Sequence, residues 1–401
     1  MDKEAFLHQL ESSATKKDKK LFAKTFYDLQ PDVIIGFTKE EFSRTIYISH
    51  QFSSQKMDRL FNFLENKGLF FLNNALKGID ELNNSLLSKF YYSLCISLYE
   101  TNKEKVKRVL VNNAVACCKL AEMGIDSKEN LETVISLYGN VREIFPKKSI
   151  DYAIVLMNEG NARQTLAEMG IKSRENLEIA VSFYGDAREI FPKKSIDYAI
   201  ALMNEGNARQ TLSEMGIKSR ENLEIAVSFY GDAREIFPKK NADYARVLIN
   251  ESTARQTLAE MGIESRENLE TAISFYGDAR EIFPKKGVDY AIALMNEGNA
   301  RKELAEMGIE SRENLETAIS FYGEAREILP KKRTPYARAL MNEGNARQKL
   351  AEMGIDIKKN LEIAVSFYGD SREIFPKKSV DYARTLMNVS RAVNFFPFWA
   401  V

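Results

Sequence analysis

The chain has 401 residues, and 57 Lys+Arg balance 57 Asp+Glu for a formal net charge of zero. That balance excludes the basic excess with which a chain coats nucleic acid. A hydrophobic fraction of 44% beside 28% charged residues excludes disorder, and the longest apolar stretches, Leu69–Leu72 and Phe90–Tyr99, are too short or too broken to span a bilayer.

The first residues, Met1-Asp2-Lys3-Glu4, form no apolar signal region. The cysteines, Cys95, Cys117 and Cys118, have no metal-type spacing and read as reduced side chains packed in helices. A reducing cytoplasm is the expected location. Residues 1–53 read as helices over about 3–12, 17–29 and 38–51 around the apolar run Val33–Phe37. Lys+Arg and Asp+Glu each number eight here, so this segment is also neutral. It is expected to be a small helical cap or an interaction module.

Beyond it the sequence is periodic. Met-Gly recurs at Gly124, Gly170, Gly216, Gly262, Gly308 and Gly354, each step 46 residues. Pro146, Pro192, Pro238, Pro284, Pro330 and Pro376 keep the same step, as do Tyr152, Tyr198, Tyr244, Tyr290, Tyr336 and Tyr382. Such a period marks stacked supersecondary units that share one core. Each unit predicts two helices. The first runs roughly over Asp151–Glu168 and ends at Gly170, where positive φ is cheap. The second starts at Ser173, read as an N-cap, and runs to about Phe191, where Pro192 blocks continuation. Short connections make successive helices antiparallel neighbours. Degenerate units stay in phase back to Asn66 and Gly78, so the array spans residues 54–376, with repeats ending near 100, 146, 192, 238, 284, 330 and 376. A capping helix and apolar tail follow at 377–401.

The second helix carries Ala180, Tyr184, Ala187 and Pro192, a small residue, an aromatic, an alanine and a proline at steps of four, three and five. The first carries the small pair Gly160 and Ala162. This pattern resembles the tetratricopeptide repeat. The family's usual period is about 34 residues, so these units predict longer helices with a wider bend. The resemblance implies an all-α fold, a right-handed α-solenoid of about seven helix-turn-helix repeats. It also implies that the first helices line a concave groove that takes a protein or peptide ligand.

Glu159 and Arg163 stand four apart in the favourable order, and recur as Glu205/Arg209, Glu251/Arg255, Glu297/Arg301 and Glu343/Arg347. They fall at the centre of the apolar arc. They read either as a partly buried ion-pair ladder shared between repeats or as a charged channel. In the last helix Val389 and Val393 take these places.

No catalytic constellation appears. The two histidines, His8 and His50, lie outside the repeats, and no Zn, nucleophile-elbow or Walker spacing occurs. Neither a metal nor a cofactor is expected, and the chain reads as non-enzymatic.

The remaining arc of the first helix holds Ile154, Met157, Asn158, Asn161, Gln164, Thr165 and Glu168. One asparagine column runs through Asn112, Asn158, Asn204, Asn250, Asn296 and Asn342, from Asn66 to Asn388. A second contains Asn161, Asn207, Asn299 and Asn345, broken by Val115, Thr253 and Arg391. Gln164, Gln210, Gln256 and Gln348 accompany them. Asparagine donates and accepts, so such columns can pair with the amides of an extended peptide; they can equally serve bonds between helices and be carried along by duplication. Ile154, Ile200 and Ile292 alternate with Arg246, Arg338 and Arg384, and Thr165, Thr211 and Thr257 become Glu303 and Lys349. This predicts a ligand with acidic residues engaging the later repeats. The lysine pairs from Lys147-Lys148 to Lys377-Lys378 make a basic edge, read as a soluble rim near helix C-termini, with contact to nucleic acid or an anionic membrane as the alternative.

The tail Phe395-Phe396-Pro397-Phe398-Trp399 is apolar. It is expected to cover the last, unpaired helix, or to offer a surface for homo-oligomerisation. The leading expectation is an adaptor or sensor that grips a protein segment; the alternative is a self-associating scaffold.

Overall fold

A computed structural model describes residues 1–35, 37–50, 58–99 and 103–395. Among them the secondary structure is entirely helical. The order is α1 (Lys3–Lys16), α2 (Lys19–Tyr27), α3 (Pro31–Ile35), α4 (Lys39–His50), α5 (Asp58–Leu76), α6 (Glu81–Tyr99), α7 (Lys103–Glu122), α8 (Ser127–Arg142), α9 (Ile150–Glu168) and α10 (Ser173–Ile190). It continues with α11 (Ile196–Glu214), α12 (Ser219–Ile236), α13 (Ala242–Glu260), α14 (Ser265–Ile282), α15 (Val288–Glu306), α16 (Ser311–Ile328), α17 (Thr334–Glu352), α18 (Ile357–Ile374) and α19 (Val380–Phe395). From α5 onward each odd-numbered helix packs along the even-numbered one after it. The expected all-α class is therefore the observed one: among the described residues, stacked helix pairs run from α5/α6 to α9/α10 in one part of the chain and from α11/α12 to α17/α18 in the other, with α19 following. The chain divides into two compact units, Met1–Pro192 and Lys193–Val401.

In the first unit the N-terminal helices share one hydrophobic core with the first pairs: Phe6, Leu10, Phe22 and Phe26 are buried in the same cluster as Leu64, Phe90 and Tyr138. Phe37 and Phe42 both meet the Phe90 ring edge-on, at 5.7 and 5.2 Å between centroids. Where two or three helices were expected before the array, four short ones form. Asp18 caps α2 by accepting from the Lys20 and Leu21 amides.

The pair α9/α10 shows how each unit is built. Ser149 Oγ accepts from the Tyr152 amide and starts α9. The helix ends in a Schellman arrangement: the Ile171 amide donates to Leu166 O and the Gly170 amide to Ala167 O, with Gly170 at φ +78. Ser173, read as the N-cap of α10, is instead its first helical residue. The cap is Lys172, in the left-handed region at φ 43 and with no side-chain cap bond. Ser173 Oγ donates back to Ala167 O at 2.8 Å, and Asn176 Nδ2 donates to Ile171 O at 2.9 Å. The tight turn leaves carbonyls facing α10, so its hydroxyl and amide close the end of the preceding helix rather than the start of their own.

Leu177, Ala180, Tyr184 and Ala187 recur along one face of α10 and are buried. Gly160 lets the Tyr184 ring lie against α9: a Cβ there would sit 2.7 Å from Tyr184 Cε1. In the second unit the same contact joins Gly206 to Tyr230, Gly298 to Tyr322 and Gly344 to Tyr368. There the first helices α11, α13, α15 and α17 each also touch the next first helix, which draws the layers together on the first-helix side.

Candidate functional site

The Glu/Arg pairs are buried and shared between successive pairs, and the second helix supplies a partner that the sequence reading missed. Glu159 is 1% exposed; its Oε1 accepts from Arg163 Nη2 at 2.9 Å, and its Oε2 lies 2.8 Å from Arg142 Nε on α8. Both guanidiniums lie over the Phe183 ring, at 4.8 and 5.6 Å from its centroid. Arg163 also reaches Asn176 Oδ1. In the second unit the set recurs as Arg234/Glu251/Arg255, Arg280/Glu297/Arg301 and Arg326/Glu343/Arg347. The second-helix arginines keep the same step as the prolines, which was the signal available. An enclosed network of this kind fixes register between layers.

The asparagine columns are tied into the scaffold. Asn207 Oδ1 accepts from Tyr230 OH at 2.8 Å and from Asn250 Nδ2, on the next first helix, at 2.9 Å. Asn299 accepts from Tyr322 OH at 2.8 Å and Asn342 at 3.0 Å; Asn345 accepts from Tyr368 OH at 2.9 Å and Asn388 at 2.8 Å. Both lone pairs of the Asn207, Asn299 and Asn345 Oδ1 atoms are thereby used. In the first unit Asn161 accepts from Tyr184 OH at 2.9 Å, and Gln164 Oε1 from the same hydroxyl at 3.2 Å. Where the second column carries no asparagine the pattern changes. Asn112 Nδ2 donates to Tyr92 OH at 3.2 Å, and Asn158 hydrogen-bonds the Tyr138 hydroxyl. Thr253 meets Tyr276 OH at 3.1 Å in the layer before Asn296. Burial of these rings pushes the tyrosine hydroxyls above their ordinary range and keeps them neutral.

The expected site residues thus share the first-helix faces, each within its own unit, but differ in access. Asn161, Arg338 and Arg384 are exposed; Asn112, Asn158, Gln164, Asn204, Asn207, Gln210, Asn250, Gln256, Asn296, Asn299, Asn342 and Asn345 are half-buried. Gln348 is buried, accepting from Tyr368 OH at 3.1 Å and donating to Glu352 at 3.1 Å. Met157, expected on the open arc, is buried between helices. Gln210 accepts from Tyr230 OH at 3.3 Å. Gln256 Nε2 donates to Glu303 Oε1 at 2.5 Å, and burial raises that carboxyl to about 7.

Arg338 and Arg384 flank Asp381, at 2.9 and 3.8 Å, which offsets part of their charge. A cleft of about 330 Å³ opens beside Arg384, lined by the cations Lys302, Lys349, Arg384 and Arg391 and by the carboxylates Glu306 and Glu352. Lys302 and Lys349 are paired with Glu306 and Glu352 at 3.3 and 3.0 Å. The apolar tail beyond Phe395, expected to cap α19 or to self-associate, lies outside the described residues. No described helix is long and apolar enough to cross a membrane.

These features define a class, the helical-repeat solenoid with ion-pair-locked layers. No protein-family model matches the chain, and no curated relative matches it. Among solved structures the chain is similar to one in the "Crystal structure of APC/C hetero-tetramer Cut9-Hcn1" (TM-score 0.47, 14% identity, 98% of this chain and 72% of that one). It is also similar to the "apo form of the quorum sensor NprR from B. thuringiensis" (TM-score 0.35, 13% identity, 98% of each chain). A third similar structure is BtubC (BKLC) from P. vanneervenii (TM-score 0.34, 12% identity, 75% of this chain and 94% of that one). At these values the likenesses carry no functional argument.

Proposed function

We propose that the protein is a non-enzymatic interaction module, cytoplasmic, that holds a protein segment against its first-helix faces. The observation that carries this reading is where the repeats differ. The second helices α10 and α12 are identical in sequence, and α14 and α16 depart from them at few positions. The first helices vary on their open arc, where Ile154, Ile200 and Ile292 alternate with Arg246, Arg338 and Arg384. Duplication copies scaffold and surface alike, so a recurrent Ile-to-Arg exchange at one accessible first-helix position favours a face that meets something else. The second-column amides support the same reading, since their N–H groups suit the carbonyls of an extended segment. A neutral chain with no basic excess disfavours nucleic acid.

The cleft's four cations, Lys302, Lys349, Arg384 and Arg391, outnumber its two carboxylates, Glu306 and Glu352, which suits acidic side chains in that segment. Affinity capture from the native cell with wild type and an Arg384→Glu/Arg391→Glu variant tests this. Loss of a partner by the folded variant is the expected result; an unchanged partner list contradicts it. One observation favours the alternative of self-association: Val380, Leu386, Met387 and Val393 on α19 are exposed apolar side chains. A concentration-independent monomer mass would set that alternative aside.

A further inference from the structure

The layers of this solenoid serve as controls for one another, and the Tyr138 layer departs from the later ones in a directed way. In the first unit a cavity of about 580 Å³ opens on the first-helix side between α7, α8 and α9. Val115, Cys118, Leu131, Tyr138, Asn158 and Met169 line it. Leu131, Tyr138 and Asn158 belong to the frame common to the later layers, which carry Leu177, Tyr184 and Asn204 in the corresponding places. Val115 and Cys118 do not. They stand where later layers carry Asn161 and Gln164, the two side chains that accept from the tyrosine hydroxyl. Here both acceptors are gone, and Asn158 takes over the Tyr138 hydroxyl instead.

The replacements do two things. Valine removes a polar shelf, and cysteine, several heavy atoms shorter than glutamine, leaves space above the ring. Burial pushes the Cys118 thiol up to about 12, so it presents an uncharged apolar wall. The charged lining residue is Glu122, and Lys119 lies 3.2 Å from it. Apart from that pair the lining is uncharged, which disfavours a charged occupant. The rim carries Asn161, Thr165 and Ser127, which suit a peptide backbone.

We infer that this cavity is an anchor pocket for one large uncharged side chain, leucine, methionine or phenylalanine, of a peptide lying along the first-helix face of the first unit. The inference rests on the proposed reading that these faces hold a protein segment.

The test is selection of a random dodecapeptide display library on the immobilised full chain. Selected peptides are then synthesised and titrated against wild type and a Val115→Asn/Cys118→Gln variant. That variant restores the residue types of the later layers, so it keeps the fold, which circular dichroism and thermal melting check. The expected result is that selected peptides share one apolar residue. Changing it to alanine weakens wild-type binding at least tenfold, the variant weakens the parent peptide similarly, and the two changes together add little more. If peptides bind wild type and variant within about twofold, the pocket proposal falls while the face reading stands. If no peptide is selected, the face reading falls and takes the pocket with it.

Discussion

Glu297 shows how much a single buried carboxylate does. It is 2% exposed and lies 2.7 Å from Arg280 and 2.8 Å from Arg301. Glu297→Gln leaves two guanidiniums facing each other with no counter-charge, and breaking one partner of such a set costs about 3 kcal/mol. Amide exchange in α14 and α15 is expected to accelerate well above that in α18; unchanged protection would show that the pair is solvent-compensated. Glu303 makes a pH prediction of opposite character. Burial raises its folded pKa to about 7, above the ordinary carboxylate range. A carboxyl whose folded pKa is raised is most favourable below the unfolded pKa, and the benefit is lost as pH rises through about 7. Wild type is expected to lose on the order of 2–3 kcal/mol relative to Glu303→Thr between pH 4 and pH 8. Thermal melts across that range check it; parallel curves for the two proteins contradict it. Glu303 stands where earlier layers have Thr165, Thr211 and Thr257. The sequence shows that substitution but not the enclosure by Gln256 that gives it a consequence.

Between elements, the asparagine columns act as clasps. Asn299 on α15 receives Tyr322 OH from α16 and Asn342 from α17, so one side chain joins three helices. Asn299→Ala strands the hydroxyl of a fully buried tyrosine and should cost about 1–3 kcal/mol, more than Tyr322→Phe, which removes the donor itself. Chemical denaturation of the two variants measures the order; a milder Asn299→Ala would contradict the clasp. Helix lengths, the glycine turns and the terminal half-unit were legible in the sequence, because Gly170, Pro192 and Tyr184 punctuate every copy. The columns were legible as columns. Their division into a donor and an acceptor side was not, since it depends on which neighbour each amide turns toward. Ser173 misled for a related reason: serine before an apolar run reads as an N-cap, yet a residue with positive φ, Lys172, holds that place. The second-helix arginines were overlooked because arginine on an otherwise polar face looks solvated until Phe183 and Glu159 are brought to it.

At the scale of the molecule, the nearly uniform second helices α10, α12, α14 and α16 accompany first helices whose accessible face varies, and this division of labour underlies the proposed function. Within each unit the framework residues are buried or ion-paired, whereas Ile154 and Arg384 on the varied face are exposed. The most direct test places a photo-crosslinking amino acid at Ile154 or Arg384 in one set of variants, and at the exposed second-helix residues Glu178 or Glu224 in another. Irradiation in the native cell is predicted to yield discrete protein adducts from the first set and none from the second. Adducts confined to Glu178 or Glu224, or none from any position, would contradict the claim that the first-helix faces hold a protein segment.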